Sequence, residues 1–232
     1  MKNIINLSGG KDSTAMLLMC LENGYRIDDV VFCDTTVEFP QMYEHLEKLQ
    51  SNIPLRINII KQPYSFEYMM LYYEKKKGKN AGKKGYSFPD FRNRWCTAYF
   101  KREAIKKYVK QKYGKEDVCN FIGIAVDEQN RINKSLLLEN KVKYPLIDFN
   151  MTEKDCLNYC YSKGYDWGGL YKLFDRVSCW CCPLKRIGEK EKLYKHFPEL
   201  WDKLKEWESK TYRKYTNNYS ILELENKFNK RK

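Results

Sequence analysis

Seven consecutive residues, Ser8-Gly9-Gly10-Lys11-Asp12-Ser13-Thr14, form the densest chemistry-bearing run in the chain. Glycines let a backbone close in on a ligand and turn its amides toward it. Lys11 adds a point charge, and a helix opening at this point would add the partial positive charge of its N-terminus. Ser8, Ser13 and Thr14 offer hydroxyl donors, and Asp12 can cap the helix or help hold a magnesium ion. The set suits a pyrophosphate-bearing nucleotide, with Lys11 and Asp12 as candidate catalytic groups. It is not a Walker A loop, which places four residues between its first glycine and the Gly-Lys pair.

Thiols are the second signal. Cys179-Trp180-Cys181-Cys182-Pro183 places three of them within four residues, and Cys96 is expected at a helix start, where the dipole lowers a thiol pKa. Cys96, Cys179, Cys181 and Cys182 together could ligate an iron–sulfur cluster or a structural zinc ion; the bland alternative is a reactive or buried thiol group. Cys20, Cys33 and Cys119 sit in strand or helix patterns and read as core. Cys156 and Cys160 share a helix face with no third ligand nearby, so they read as packing. His45 and His196 have no companion at ligand spacing and receive no role. Asp34, at a strand end, is placed to meet a ribose. Arg131 can pair with phosphate or sulfonate oxygens through its planar fork. Asp127 and Glu128 beside it can bind metal or substrate, or serve as loop caps.

These residues need elements to hold them. Strands are expected at Asn3–Leu7, Val30–Cys33, Leu55–Ile60 and Phe121–Ala125, with a short fifth at Val142–Ile147. Helices are expected from Asp12 to Glu22, from Pro40 to Gln50, near Phe66–Tyr73 and over Ala98–Tyr113. Such alternation indicates a doubly wound, mostly parallel α/β sheet of Rossmann-like type. After Asp148 the pattern turns helical, with Thr152 and Asp155 capping a helix to about Ser162, and a helix over Gly188–Lys210 broken near Pro198. The expected division is a nucleotide-binding domain at 1–150 and a helical C-terminal region at 151–232 carrying the cysteines. Lys75–Phe91, with Gly78, Gly82, Gly85 and Pro89, reads as a long polar loop.

Composition narrows the class. The 43 Lys+Arg against 30 Asp+Glu give a formal charge of +13, and 43% apolar residues with 15% aromatics exclude wholesale disorder. No apolar run reaches the roughly 18 residues of a membrane span. Met1–Asn6 leads straight into the glycine loop, which leaves no signal-peptide core, so a cytoplasmic setting is expected. Lys75–Glu116 alone holds 15 Lys+Arg against three acids. That run is either a solvated face or a surface for a polyanion.

The SGGKDST loop after the first strand resembles the PP-loop of the ATP pyrophosphatase superfamily. Asp34-Thr35-Thr36-Val37-Glu38-Phe39-Pro40 is similar to the DTG-x-x-FPE segment of its phosphoadenosine phosphosulfate (PAPS) reductase-like branch, with Thr36 in place of the glycine. Arg94-Trp95-Cys96-Thr97, Gly123-Ile124-Ala125-Val126-Asp127-Glu128 with Arg131, and Tyr144-Pro145-Leu146 extend the likeness over roughly residues 1–185. The resemblance implies that ATP or an adenylyl sulfate, with Mg²⁺, binds Ser8–Thr14, Asp34, Thr35 and Gly123. It also implies that strand four lies beside strand one, and that a [4Fe–4S] cluster is held by the cysteines. Thr97 occupies the place of the second upstream cysteine, so Cys181 becomes the fourth ligand or one iron stays open. Reductases of this branch attack sulfate sulfur with a cysteine near the C-terminus, and here none follows Cys182.

The resemblance therefore implies, first, ATP-dependent adenylation with pyrophosphate release, coupled to sulfur transfer onto tRNA or DNA. The nucleic acid would lie along Lys75–Arg102, stacking on Tyr86, Phe88, Phe91 and Trp95 unless those rings are core anchors. A cysteine desulfurase as sulfur donor and a homodimeric state fit that reading. The alternatives are a sulfonucleotide reductase using a thiol in trans, and a non-enzymatic nucleotide- and nucleic-acid-binding module.

Overall fold

A computed structural model describes residues 1–76, 80–132 and 141–230; Gly78, one of the loop glycines, lies outside them. The chain falls into two compact units that interleave along the sequence. The first comprises Met1–Asp34, Pro40–Lys61 and Glu103–Tyr171, the second Thr35–Phe39, Gln62–Arg102 and Lys172–Lys232.

The first unit is built on five strands: β1 (Lys2–Leu7), β2 (Asp29–Asp34), β3 (Ile57–Lys61), β4 (Val118–Phe121) and β5 (Val142–Lys143). Their order is β3-β2-β1-β4-β5, and every pair is parallel. Parallel strands need crossover connections, and α1 (Lys11–Glu22), α2 (Pro40–Asn52) and α4 (Ala104–Tyr113) belong to this unit. Such a sheet is covered on both faces, so its central strands are apolar runs rather than alternating ones. Ile4 and Ile5 of β1 and Val30 of β2 are fully buried accordingly. Asp29 opens β2 as a buried carboxylate that accepts from Tyr108 Oη, Lys112 Nζ and Tyr113 Oη, which ties α4 to the sheet.

The expected division at residue 150 differs from these units. Helix α5 (Glu153–Ser162) belongs to the first unit because Cys156 and Cys160, both fully buried, face α1. Residues 62–102, expected with the sheet, group instead with the C-terminal helices. Strand β4 ends at Phe121, ahead of the expected Ala125, because Gly123 packs against the start of α1. Pro145 stops β5 and opens a helical turn, Pro145–Asp148.

The second unit is helical and aromatic. It holds α3 (Phe66–Leu71), α6 (Ile187–His196), α7 (Pro198–Ser209) and α8 (Ile221–Asn229), the last not anticipated from the sequence. A π-helical turn, Ala98–Glu103, follows Trp95–Thr97 where one α-helix was expected. Phe66 stacks between Trp95 and Trp207, at 4.9 and 5.9 Å, and Trp207 stacks on Trp180 at 5.1 Å. The loop after α3 folds back on it: Gly85, with φ +67°, lies where a Cβ would stand 2.5 Å from the Met70 carbonyl oxygen. No described helix is long and apolar enough to cross a membrane.

The two units differ sharply in charge. The second holds 26 Lys+Arg and 13 acids, the first 17 of each. The whole formal charge of +13 therefore resides in one unit.

Candidate nucleotide site and thiol group

In the first unit, β1 ends at Leu7, the loop turns at Ser8–Gly10, and α1 begins at Lys11. Gly9 adopts φ +77°, a left-handed conformation that side chains resist, and its carbonyl accepts from Trp167 Nε1 at 2.7 Å. Ser13 Oγ accepts from the Ser8 amide at 3.1 Å, meets Ser8 Oγ at 2.9 Å and donates to the Gly10 carbonyl at 3.1 Å. Thr14 is fully buried, its hydroxyl 3.1 Å from His45 Nε2. These two hydroxyls build the loop from beneath rather than facing outward. The Lys11 amide, among the first of α1, donates to Tyr171 Oη at 2.8 Å. An incoming anion would compete with that phenol for the helix N-terminus.

Lys11 Nζ lies 2.8 Å from Asp12 Oδ1 and 2.6 Å from Glu153 Oε1. Burial works against its charge, but the two carboxylates raise its pKa overall. Burial also raises Asp12, a shift that Lys11 only partly offsets and that Glu153 and Glu128 reinforce. Carboxylate oxygens of Asp12, Glu128 and Glu153 fall within 4.8 Å of one another, a hard-oxygen set that fits a divalent cation. Arg131 pairs with Glu128, and the Glu153 amide donates to Asp127 Oδ1 at 3.1 Å. Gly123 closes the floor: a Cβ there would stand 3.0 Å from backbone atoms of Asp12 and Ser13. With β1 between β2 and β4, the loop sits at the switch point of the sheet, where such folds bind ligands. Asp34 is buried at the end of β2, accepting from Tyr43 Oη at 2.8 Å with Lys61 Nζ at 3.6 Å.

The sequence offered no hint of His45, Trp167, Tyr171 or Glu153. His45 is buried, stacks on Trp167 at a centroid distance of 4.5 Å and holds Thr14. Burial, then the nearby Lys48, push its pKa down to about 4, so it is neutral at pH 7. Glu153 is 142 residues from Lys11, and no spacing rule reaches that far.

The thiols gather in the second unit. Thr35 Oγ1 donates to Glu38 Oε1 at 2.7 Å and lies 3.4 Å from Cys179 Sγ, which is itself 3.4 Å from Glu38 Oε1. The Trp180 amide donates to the Val37 carbonyl, locking the cysteine turn onto the 35–39 segment. Thr36 sits at φ +65°, the conformation a glycine would supply, and its Oγ1 accepts the Phe66 amide at 2.9 Å.

Cys96, Cys179, Cys181 and Cys182 are near enough to act on one another's charge. Burial, then the charge of Cys182, pushes the Cys96 thiol up, against the lowering expected from a helix dipole. Burial likewise pushes Cys179 and Cys181 well up. A single zinc would hold its sulfurs about 3.8 Å apart, from bonds of about 2.3 Å in a tetrahedron. Among the described residues, no three of these sulfurs lie within 4.8 Å of one another, so the group is too open for a preformed zinc site. Lys185 and Lys190 are buried beside it. Lys185 Nζ has no hydrogen-bond partner among the described residues and lies over the Phe174 ring at 4.9 Å. Burial pushes its pKa down, opposed by the negative charge of Glu189 and then of Cys182, Cys179 and Cys181. A buried amine with no hydrogen-bond partner among the described residues fits an anionic sulfur group held by those cysteines, whose charge would favour the ammonium form.

Of the four rings expected to stack on bases, Phe88 and Trp95 are core, at 1% and 6% exposure. Tyr86 is wedged between Tyr73 and Trp95, and only Phe91 is exposed.

A family model for the phosphoadenosine phosphosulfate reductase domain matches residues 2–185. The chain belongs to that family. It is thereby a member of the PP-loop ATP pyrophosphatase superfamily, whose PAPS reductase branch is typically enzymatic and binds nucleotide substrates. Two similar proteins come from Methanocaldococcus jannaschii. The uncharacterised protein MJ0066 is 27% identical over 235 residues, 95% of this chain and 43% of the relative. The uncharacterised protein MJ0973 is 27% identical over 205 residues, 85% of this chain and 45% of the relative. The chain thus spans less than half the length of either relative.

Proposed function

We propose that this PAPS reductase-family protein binds ATP, or an adenylyl sulfate, on Ser8–Thr14 and couples adenylation to sulfur transfer onto a nucleic acid. A substrate oxygen attacks the α-phosphorus, the bond to the bridging oxygen breaks, and pyrophosphate leaves. Lys11 and the loop amides stabilise the charge growing on that leaving group. To do so Lys11 gives up Asp12 and Glu153, whose carboxylates with Glu128 would hold a divalent cation that neutralises phosphate charge when bound. A sulfur nucleophile then attacks the activated carbon, the carbon–oxygen bond breaks, and AMP departs. Cys96, Cys179 and Cys182 would hold a [4Fe–4S] cluster, with Cys181 as fourth ligand or with one iron left open; an open iron would supply a place to bind sulfur for transfer.

The observation that carries this reading is the group of four thiols beside two buried lysines. That group suits handling of sulfur. The family match favours the second reading, sulfonucleotide reduction by a thiol supplied in trans. Anaerobically prepared protein given α-labelled ATP separates the two. AMP and pyrophosphate formed only when nucleic acid is present support the first; sulfite released from an adenylyl sulfate with added dithiol supports the second. Neither product would sink both.

A further inference from the structure

Three tyrosines, Tyr64, Tyr68 and Tyr72, stand four residues apart on and beside α3, and are 42%, 41% and 47% exposed. Four-residue spacing lines side chains along one helix face, and here the opposite face, with Phe66, Met69 and Met70, is buried. The Tyr64 and Tyr68 rings stack at 4.8 Å and 17°, and Tyr72 follows at 6.2 Å. Tyr73 continues the series, 5.7 Å from Tyr64 and 5.8 Å from Tyr86. Beyond it Lys75 lies over Tyr86 and over Tyr212, itself 66% exposed. Packing does not require three neighbouring rings to remain in water.

Charge identifies the occupant. The ladder lies on the unit that carries all of the net +13. The single acid within α3, Glu67, is paired with Lys203 at 3.5 Å. A row of half-exposed aromatic rings on a cationic unit suits a single-stranded nucleic acid, which needs backbone neutralisation with sequence-tolerant stacking. We infer that Tyr64, Tyr68 and Tyr72 form a stacking platform for unpaired bases of a nucleic acid. The inference rests on the proposed function for the class of acceptor, and adds where it binds and that it is single-stranded. Under the ladder, Phe66 stacks on Trp207 and Trp207 on Trp180, the residue between Cys179 and Cys181. A strand held there lies on the same unit as the thiols.

The test is fluorescence anisotropy of the full chain with a labelled mixed-sequence single strand and with its duplex, at two salt concentrations. The single strand is expected to bind more tightly, with affinity falling as salt rises. Tyr68→Ala combined with Tyr72→Ala is expected to weaken it by about tenfold or more. Tyr68→Trp, which keeps a π-face, should stay within about threefold of wild type. Melting curves check that the variants fold, which the exposure of both rings favours. Tight binding that the alanine pair leaves unchanged overturns the platform and leaves the acceptor class standing. Equal affinity for duplex and single strand, insensitive to the tyrosines, overturns it too. No binding of either nucleic acid by wild type overturns the platform and the proposed acceptor together. Nucleotide-dependent AMP release, measured separately, reports on the loop chemistry alone.

Discussion

His45 offers a prediction that can be worked through in numbers. Its ring is buried against Trp167 and Thr14, and its pKa falls from 6.5 to about 4 because burial and Lys48 disfavour the charged form. The folded protein therefore binds fewer protons here than the unfolded chain does, so stability must rise with pH across this window. The contribution is intact above pH 6.5, declines as pH falls through the unfolded pKa, and levels off below about pH 4. The two pKa values give a loss of about 2 kcal/mol by pH 5 and about 3 kcal/mol by pH 4. His45→Gln removes the titration while keeping a side chain able to bond Thr14. Urea unfolding of both proteins at a series of pH values isolates the term, since every other group cancels in the difference. The stability gap between wild type and variant should shift by about 2 kcal/mol from pH 8 to pH 5 in favour of the variant. Because Thr14 belongs to the loop, wild-type nucleotide affinity should weaken over the same range. A pH-independent gap would refute the reasoning: His45 would then be protonated in the fold, or free to leave its pocket.

Lys11→Ala should abolish nucleotide turnover while the melting temperature changes little; turnover within about tenfold of wild type would remove the loop from the chemistry. Gly123→Ala forces a methyl against the backbone that opens α1 and should cost about 1–3 kcal/mol together with nucleotide affinity, read by unfolding and by titration calorimetry. Thr36→Val keeps the β-branched strain at φ +65° but deprives the Phe66 amide of its acceptor, for an expected loss of about 1–2 kcal/mol in urea unfolding. Cys179→Ala should strip bound iron, measured as metal content and visible absorbance of anaerobic protein; iron content equal to wild type would exclude that thiol as a ligand.

The sheet was legible because its strands are apolar runs bounded by turn residues, and Asn3–Leu7 and Val30–Cys33 each differ from the observed strand by no more than one residue at either end. The loop was legible because glycine, lysine and hydroxyl residues are contiguous there. What surrounds the loop was not, since Glu153 and Trp167 reach it through tertiary folding and carry no local signature. The rings of 86–95 stayed open between base stacking and core anchoring for a related reason: Phe88 and Trp95 lie in a polar, lysine-rich stretch, and only the folding of the loop back on α3 makes them core. The Tyr64, Tyr68 and Tyr72 period was visible in the sequence but reads equally as a buried helix face. Only the burial of Phe66, Met69 and Met70 assigns the faces.

The interleaving of the two units has a consequence for how this protein can be made and dissected. The second unit is assembled from three stretches of chain, the last beginning at Lys172, so it stays incomplete on the ribosome until all of the first unit has been synthesised. Pairing of distant segments is slow, and the early stretches must wait, exposed, for their partners. No cut at a single position yields either unit free of segments of the other. A stop codon after Tyr171 keeps every stretch of the phosphate-loop unit but leaves Thr35–Phe39 and Gln62–Arg102 without the rest of theirs, so point substitution is the cleaner way to separate the two chemistries.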